Sequence, residues 1–431
     1  MKKSILIFAA AAAFAGAAVL SSCERKEIAS IPEVTVQVSL PEGFSSSAVY
    51  TGDVTLTDKA TGKTTTVKAE NSVAVFKKVP YGVYTVTASA SLTNEEFKAQ
   101  APEISASVTA GISLNSSPVE AVLSSDDEAA EPIVVEVAWS VPSSLVFSRI
   151  YNFGTLKLDN KAYNIDKYIE IYNNSSETQY VDGLYLGEAY GSIVSASPYT
   201  NIATGNFCYV QRVVRIPGNG TQYPVEPGKS IVIAQNAKNH IDAEVVTNTV
   251  DLSGADFECY VEGALASQFP SDNADVPNIE EVFGANKNAA KFFGGQGTVP
   301  VLFRMDEKLF TALNAVLAPG TNAFGDTYAF YCKPIAASDI LDAVDGFRVG
   351  FENRGGPHVP AVVDASGALF NQKNITLRKI AYYTPDGRAV LQDTNNSSKD
   401  FVIVESTNED ASILVPRKYD VPQIQPGYKA E

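Results

Sequence analysis

The chain has 431 residues, of which 45% are hydrophobic and 19% charged, and its formal net charge at pH 7 is −16. This length suits two or three domains, and the hydrophobic content excludes a largely disordered chain. Binding to nucleic acid is excluded as well, because phosphate contacts need clustered Lys and Arg rather than an acidic excess. The 20 Tyr and 21 Phe residues favour strands over helices.

The start of the chain has the three parts of a secretory signal. Lys2 and Lys3 precede an apolar run from Ile5 to Leu20, which is shorter than a membrane-spanning helix, and Leu20-Ser21-Ser22-Cys23 follows. These last four residues resemble the bacterial lipobox, which is cleaved before its cysteine. We expect a signal peptide over residues 1–22 and a lipid-anchored tether over residues 23–30.

The lipobox resemblance implies diacylglycerol on the thiol of Cys23 and an acyl chain on its α-amine. Each buried acyl CH₂ contributes ~0.8 kcal/mol, so two or three chains anchor a protein stably. The flank Glu24-Arg25-Lys26-Glu27 lacks the aspartate that retains enterobacterial lipoproteins at the inner membrane. We therefore expect an outer-membrane lipoprotein, with the periplasmic and cell-surface faces both left open.

Three cysteines remain after Cys23, namely Cys208, Cys259 and Cys332. An odd number permits at most one disulfide, and buried free thiols are the alternative that we favour. The spacing contains no C-x-x-C pair and the chain has 2 histidines, so a structural zinc site is not expected. No cofactor other than the covalent lipid is expected.

An acidic, proline-ended segment over residues 124–132 divides the chain into two modules. In the first module, residues 31–123, Val34, Val36 and Val38 alternate with polar residues, which predicts a half-buried strand. Similar short strands follow, and their spacing predicts a small β-sandwich. The segment Phe76–Val86 resembles the signature of transthyretin-like and carboxypeptidase-regulatory-like modules, which implies the same fold.

The second module, residues 133–421, opens with an alternating pattern at Ile133 and is followed by a tail over residues 422–431. Three blocks resemble the lamin-tail domain and imply an immunoglobulin-like sandwich; they are Asp166–Ser175, Tyr180–Leu186 and Val225–Ala234. A fourth block, Leu391–Phe401, resembles the closing segment of that family. The fold class expected is therefore mainly β, with two sandwiches. The whole combination resembles a Bacteroidota lipoprotein family of unknown function.

The second module is much longer than a plain lamin-tail domain. Residues 187–224 and 235–345 are insertions by comparison, and long loops on a rigid sandwich often carry binding surfaces. Within them we expect short helices over residues 278–283, 286–293 and 306–317, the last with Leu309, Leu313, Val316 and Leu317 on one face.

Aromatic and histidine side chains are the binding candidates, with core packing as the alternative for the aromatics. The candidates are Tyr190, Tyr199, Phe207, Tyr209, His240 and His358. No residue is predicted to be catalytic, because neither histidine lies near a nucleophile motif such as Gly-x-Ser-x-Gly.

Clustered carboxylates suggest two further sites, both weaker. Asp272, Asp275, Glu280 and Glu281 could serve glycoside hydrolysis if they faced each other across a cleft, but a solvated acidic loop is favoured. Asp272 and Asp275, or Asp393 and Asn395, could contribute oxygens to calcium, but turn chemistry is favoured for both pairs. No metal site is therefore predicted outright.

Anchoring, a sandwich and long insertions without catalytic motifs indicate a non-enzymatic binding or assembly protein of the cell envelope. The partners expected are the membrane through the lipid, and an outer-membrane transporter, another envelope protein or a glycan. A structural or adhesive surface protein is one alternative, and a glycan-directed hydrolase using insertion carboxylates is another.

Overall fold

A computed structural model describes residues 29–106, 108, 111–116, 118–124, 131–190, 206–242, 244–246, 248–260, 272–284, 299–321, 327–350, 357–371, 373–407 and 410–429. The leader, Cys23, Tyr199 and the helix predicted over 286–293 lie outside these residues. The mainly β prediction is confirmed, because strands make up 46% of the structure and helices 8%. None of the helices in the described part of the chain is long and apolar enough to cross a membrane.

The first module forms one continuous sheet that folds around its own core. Its elements are β1 (Ser30–Ser39), β2 (Asp53–Asp58), β3 (Thr64–Lys68), β4 (Val73–Pro80), β5 (Gly82–Leu92), α1 (Asn94–Gln100), β6 (Ile112–Ser116), β7 (Val119–Leu123) and β8 (Ile133–Ser140). The strand order is β3-β2-β5-β6-β8-β1-β4, with β7 also paired to β5. Val34, Val36 and Val38 are buried in this core, as their alternation predicts.

The strand β8 corrects the position of the boundary between the modules. Its alternating pattern was expected to open the second module, but its first half pairs with β1 in parallel and its second half pairs with β6 antiparallel. Val135 and Val137 are buried in the first core. Periodicity identifies a strand without indicating its sheet, and here apolar burial assigns β8 to the first module.

The second module contains two larger sheets and several two-stranded ribbons. Its strands are β9 (Leu145–Tyr151), β10 (Thr155–Leu156), β11 (Ala162–Tyr163), β12 (Tyr168–Asn173), β13 (Gln179–Tyr180), β14 (Tyr185–Ala189), β15 (Phe207–Arg215), β16 (Pro224–Val225), β17 (Ser230–Ala234), β18 (Phe257–Glu258), β19 (Glu280–Phe283), β20 (Pro300–Phe303), β21 (Val316–Thr321), β22 (Thr327–Ala336), β23 (Ile340–Ala343), β24 (Gly346–Arg348), β25 (Ala368–Phe370), β26 (Asn374–Arg378), β27 (Ile380–Tyr383), β28 (Ala389–Leu391) and β29 (Phe401–Glu405). Its helices are α2 (Glu307–Ala312) and α3 (Ser397–Asp400), with 3₁₀ turns at Ala337–Asp339, Ala411–Leu414 and Pro422–Ile424.

The first large sheet has the order β18-β17-β12-β9-β26-β29 and the second has the order β21-β22-β15-β14-β20-β23, with β19 on β15. Ile169 and Ile171 of β12 share a buried cluster with Leu186, Val210 and Val301 of the second sheet. The two sheets therefore bury their apolar faces against each other, as a sandwich requires.

The segments expected to be inserted loops supply most of the second sheet. Strands β15, β19, β20, β21, β22 and β23 all lie within residues 187–224 or 235–345. The expectation of loops is therefore corrected: much of this sequence is one layer of the sandwich. The physical reason is that the apolar face of β12 and its neighbours must be covered, and these strands cover it.

Two of the helix predictions also need correction. Residues 280–283 form β19 rather than a helix, because they pair with β15. The predicted helix over 306–317 ends at Ala312, and β21 begins at Val316. Within α2, Phe310 is buried whereas Leu309 is 62% exposed, so the predicted apolar face is wrong.

The end of the chain is more ordered than a tail. Ile413, Leu414 and Ile424 are buried in a cluster with Tyr168 and Tyr172 of β12. The Tyr168 hydroxyl donates to the carbonyl of Leu414 at 2.6 Å. The C-terminal segment therefore covers the face of β12 that points away from the second sheet.

Candidate functional site

Two hollows of the described structure lie where the first module meets the second. One has a volume of about 650 Å³ and the other about 610 Å³, and both are bordered by Asn206 and Val362. Strand β8 lines both, the first with Val134 and Glu136 and the second with Trp139 and Ser140. We call the two hollows together the junction cleft.

Several large apolar side chains remain exposed at the junction cleft. Val134 is 54% exposed, Val141 is 42% exposed and Phe207 is 38% exposed. Loop 357–365 adds Pro357, Val359 and Pro360 to the wall of the first hollow, while Ile340 and Leu341 line the second. Apolar surface in a concave site is the usual composition of a ligand-binding pocket.

Loop 357–365 is held in place by a buried carboxylate. Asp364 accepts hydrogen bonds from the backbone N–H of Asp345 at 2.7 Å and of Ser397 at 2.8 Å, and also from the Ser397 hydroxyl. Burial raises the pKa of Asp364, and the nearby Asp345 raises it further. These bonds fix the loop that forms one wall of the cleft.

His358 lies behind this wall rather than on it. Its ring is buried, and Nδ1 lies 2.6 Å from Oδ1 of Asp345, whose Oδ2 accepts from the His358 backbone N–H at 2.8 Å. The expectation that His358 contacts a ligand is therefore corrected. Its contacts position the loop.

A second buried network centres on Arg378. Its guanidinium lies 2.5 Å from Asp342 and 3.3 Å from Asp393, and Nε donates to the carbonyl of Phe147 at 2.6 Å. Asp400 is 3.8 Å away. Burial would lower the pKa of Arg378, but the three carboxylates raise it, so the guanidinium stays charged.

The segment 393–400 connects the Arg378 network to the first module. Asn115 Nδ2 donates to the carbonyl of Thr394 at 2.7 Å, and Asn395 Nδ2 donates to the Ser140 hydroxyl at 2.6 Å and to the carbonyl of Val362 at 3.2 Å. Asp393 accepts from the backbone N–H of Ser143 at 2.7 Å. The resemblance at Leu391–Phe401 thus falls on the segment that bridges the modules.

These contacts also involve the calcium candidates. The oxygens of Asp393 accept from Arg378 and Ser143, and the Asn395 amide is used in bonds across the junction. Asp272 accepts from Asn278 Nδ2 at 2.9 Å. Within the described ranges, no three His, Cys, Asp or Glu side chains are grouped so as to hold a metal ion.

The carboxylates considered for hydrolysis do not line the junction cleft. Glu280 forms an ion pair with Arg215 at 3.0 Å. Asp275 is exposed in a turn, and its backbone N–H donates to Asn273 Oδ1 at 3.2 Å. Asp272 borders a separate hollow of about 270 Å³, which Asp275 and Glu280 do not line. Within this hollow, Asp272 therefore has no facing partner among the carboxylates considered for hydrolysis.

Of the predicted binding residues that the structure describes, Phe207 alone faces the junction cleft. Tyr190 and Tyr209 are buried together, and the Tyr190 hydroxyl donates to the carbonyl of Ala318 at 2.8 Å, which corrects the expectation that they form a surface. His240 is buried too, with Nδ1 3.0 Å from the Tyr163 hydroxyl and Nε2 2.9 Å from the Asn236 carbonyl oxygen. Burial lowers the pKa of His240 to about 4, so the ring is neutral.

Sequence reasoning missed the residues that form most of the cleft. Val134 and Trp139 were assigned to the wrong sheet, and the loop around Pro357 and Pro360 was considered only for its histidine. Proline on both sides of a histidine signals a fixed loop. The three remaining thiols, Cys208, Cys259 and Cys332, are free and buried.

Together, the fold and the site define a β-sandwich protein with a cleft between two modules. Residues 226–408 match the model of a family described as "Protein of unknown function (DUF4876)". The chain is also similar to a DUF4876 family protein from Bacteroides thetaiotaomicron whose crystal structure has been determined. Sequence identity to it is 24%, the match covers 86% of this chain and 94% of that chain, and the TM-score is 0.49. No curated protein shows a significant match.

Proposed function

We propose that this chain is a binding or assembly protein of the bacterial cell envelope, without catalytic activity, and that its partner occupies the junction cleft. It is tethered to the outer membrane by diacylglycerol and an acyl chain on Cys23. The partner is an envelope protein, such as an outer-membrane transporter, or a glycan.

The observation that carries this proposal is the junction cleft itself. Its exposed apolar side chains, Val134, Val141 and Phe207, would otherwise cost free energy in contact with water. The walls are held by the Asp364 and Arg378 networks, so the cleft is formed before a partner arrives. A site that is already ordered loses less conformational entropy on binding.

The binding role can be tested with a photoreactive amino acid introduced at Val141 in the native host. We expect illumination to yield a discrete crosslinked product with a protein or glycan. The matched control is the same amino acid at Val122, which is 64% exposed on β7 and lines neither hollow. Equal labelling at both positions, or no product at Val141, would contradict the proposal.

The anchor can be tested separately with Cys23→Ser. Growth with an alkyne-labelled fatty acid should label the parent protein and place it in the outer-membrane fraction. The variant should lose the label and leave that fraction, because the thiol is the acceptor of the diacylglycerol. Retained label in the variant would show that another residue carries the lipid.

A further inference from the structure

We propose that the occupant of the junction cleft is an extended polypeptide segment with apolar side chains and a neighbouring Lys or Arg, rather than a sugar. This inference rests on the proposed function and names the partner class for the same site.

The shape of the cleft suits a chain with two apolar anchors. The hollows, of about 650 and 610 Å³, share Asn206 and Val362 and follow β8 from Val134 to Ser140, with Val141 just beyond its end. An extended chain rises about 3.3 Å per residue and places alternate side chains on one side. Two such side chains can enter the two hollows while the backbone between them passes Asn206.

Several polar groups of the lining are already bonded within the protein. The Asn115 amide donates to Thr394, and the Asn395 amide donates to Ser140 and Val362. Asp342 and Asp364 are buried in the networks described above. A sugar needs many donors and acceptors that can be redirected to its hydroxyls, whereas Val134, Val141 and Phe207 supply apolar exposed surface beside the exposed polar side chains of Glu136, Asn206 and Ser338.

The charge of the described lining disfavours acidic partners. Among the described residues that line either hollow there is no Lys, Arg or His, while Glu136 is exposed at the wall of the first hollow. An acidic residue or an acidic sugar would be repelled by Glu136 and by the net charge of −16. A basic residue beside the apolar anchors would pair with Glu136.

The experiment is a selection of short random peptides displayed on phage against the full chain. We expect enriched peptides to combine aliphatic or aromatic residues with Lys or Arg and to be depleted in Asp and Glu. Val141→Asp should weaken the binding of a synthetic peptide of an enriched sequence by about tenfold or more, because the new charge loses water when the cleft is filled. Val122→Asp is the matched control and should bind as the parent does.

A charge-reversal variant tests the preference for a basic residue separately from the preference for apolar side chains. Glu136→Lys should shift the selected sequences from basic to acidic residues while keeping their apolar positions. Glu136 is exposed, so the substitution leaves the core intact, and circular dichroism of each variant checks this.

A parallel arm uses an array of neutral and acidic oligosaccharides. Glycan binding that Val141→Asp abolishes, with no enriched peptide, would overturn this inference and leave the proposed function standing. No peptide and no glycan binding that depends on Val141 would overturn both.

Discussion

Arg378 is a fully buried cation surrounded by three carboxyl groups, and burial raises the pKa of two of them, Asp342 to about 7 and Asp400. Three carboxylates lie within 3.8 Å of its guanidinium, and one of them, Asp342, also accepts from the backbone N–H of Phe147 at 2.6 Å. The carboxylates come from β23, from the segment after β28 and from α3. The network therefore ties both sheets to the bridging segment 393–400.

Arg378→Met should lower the free energy of unfolding by about 3–5 kcal/mol, because it leaves buried carboxylates without their counter-charge. Urea unfolding measures the loss. Lys59→Met is the control, since Lys59 pairs with Glu120 on the surface, where ion pairs contribute about 0–1 kcal/mol. Similar losses in both variants would contradict this account of Arg378.

Asp166 is a second buried acid, and it lacks a nearby cationic hydrogen-bond donor in the described structure. Thr249 and Tyr151 donate to Oδ2 at 2.8 and 3.3 Å, whereas Oδ1 has no hydrogen-bond partner among the described residues. Gly154 borders Oδ1 of Asp166 and the Tyr163 carbonyl oxygen, which are both hydrogen-bond acceptors. A Cβ built on this glycine would lie 2.6 Å from the first oxygen and 2.4 Å from the second. Burial raises the pKa of Asp166 to about 7.

This shift predicts how stability depends on pH. Between about pH 4 and pH 7 the native state holds a proton that the unfolded chain has lost, so the contribution of Asp166 to stability falls as pH rises through this range. Asp166→Asn should remove this loss. The variant should equal the parent near pH 4 and exceed it by about 1–3 kcal/mol above pH 7.

Thermal and urea unfolding across this pH range measure the difference between the two proteins. Asp275→Asn, at an exposed carboxylate, controls for the substitution itself. An Asp166→Asn variant that is less stable than the parent at pH 8 would show that the ionised carboxylate is stabilising.

At the scale of single elements, a lysine of β22 binds the C-terminal end of α2. Lys333 of β22 donates from Nζ to the carbonyls of Phe310 at 2.7 Å and Leu313 at 3.0 Å, and Nζ lies 4.6 Å from the Phe310 ring centroid. These carbonyls lie at the C-terminal end of the helix, where a positive charge is favourable. A helix of 6 residues needs such support, because short helices are unstable alone.

Lys333→Met should therefore destabilise the protein by about 1–3 kcal/mol and speed amide hydrogen exchange over residues 307–312. Lys308→Met alters an exposed lysine in the first turn of the same helix and should change neither quantity appreciably. Exchange that is unchanged in Lys333→Met would mean that packing of Phe310 alone holds α2.

At the scale of the whole molecule, the relative position of the modules depends on a few side chains of segment 393–400. Asn395 has a φ of 50°, a left-handed conformation that Asn and Gly tolerate, and its amide bonds both β8 and loop 357–365. Asn395 thus links β8 to loop 357–365, two segments that line the cleft.

Asn395→Gly keeps this backbone conformation and removes the amide. We expect a loss of about 1–2 kcal/mol, together with faster hydrogen exchange in β8 and in loop 357–365. Asn219→Gly, in an exposed turn, is the control and should leave exchange at the junction unchanged. Unchanged exchange at β8 in Asn395→Gly would show that apolar contacts alone join the modules.

Local patterns were sufficient for the mainly β class and for many individual strands. The alternation at Val34, Val36 and Val38, and that at Ile169 and Ile171, depends only on which side of a strand each residue faces. Such patterns do not specify the partner of a strand. Hence β8 was placed in the wrong module, and β19 was predicted as a helix although its pairing with β15 makes it a strand.

By itself, the sequence determined a mainly β chain of two parts, and it led to the predictions that Cys23 is lipidated and that Phe207 binds a partner. Only the tertiary structure decided that the inserted segments form a sheet, that Tyr190, Tyr209 and both histidines are buried, and that a cleft lies beside β8. The bonds that create the cleft join residues far apart, such as Asn115 and Thr394. Whether residues so far apart in the chain meet depends on which strands pair and in which register. A short stretch of sequence does not contain this information.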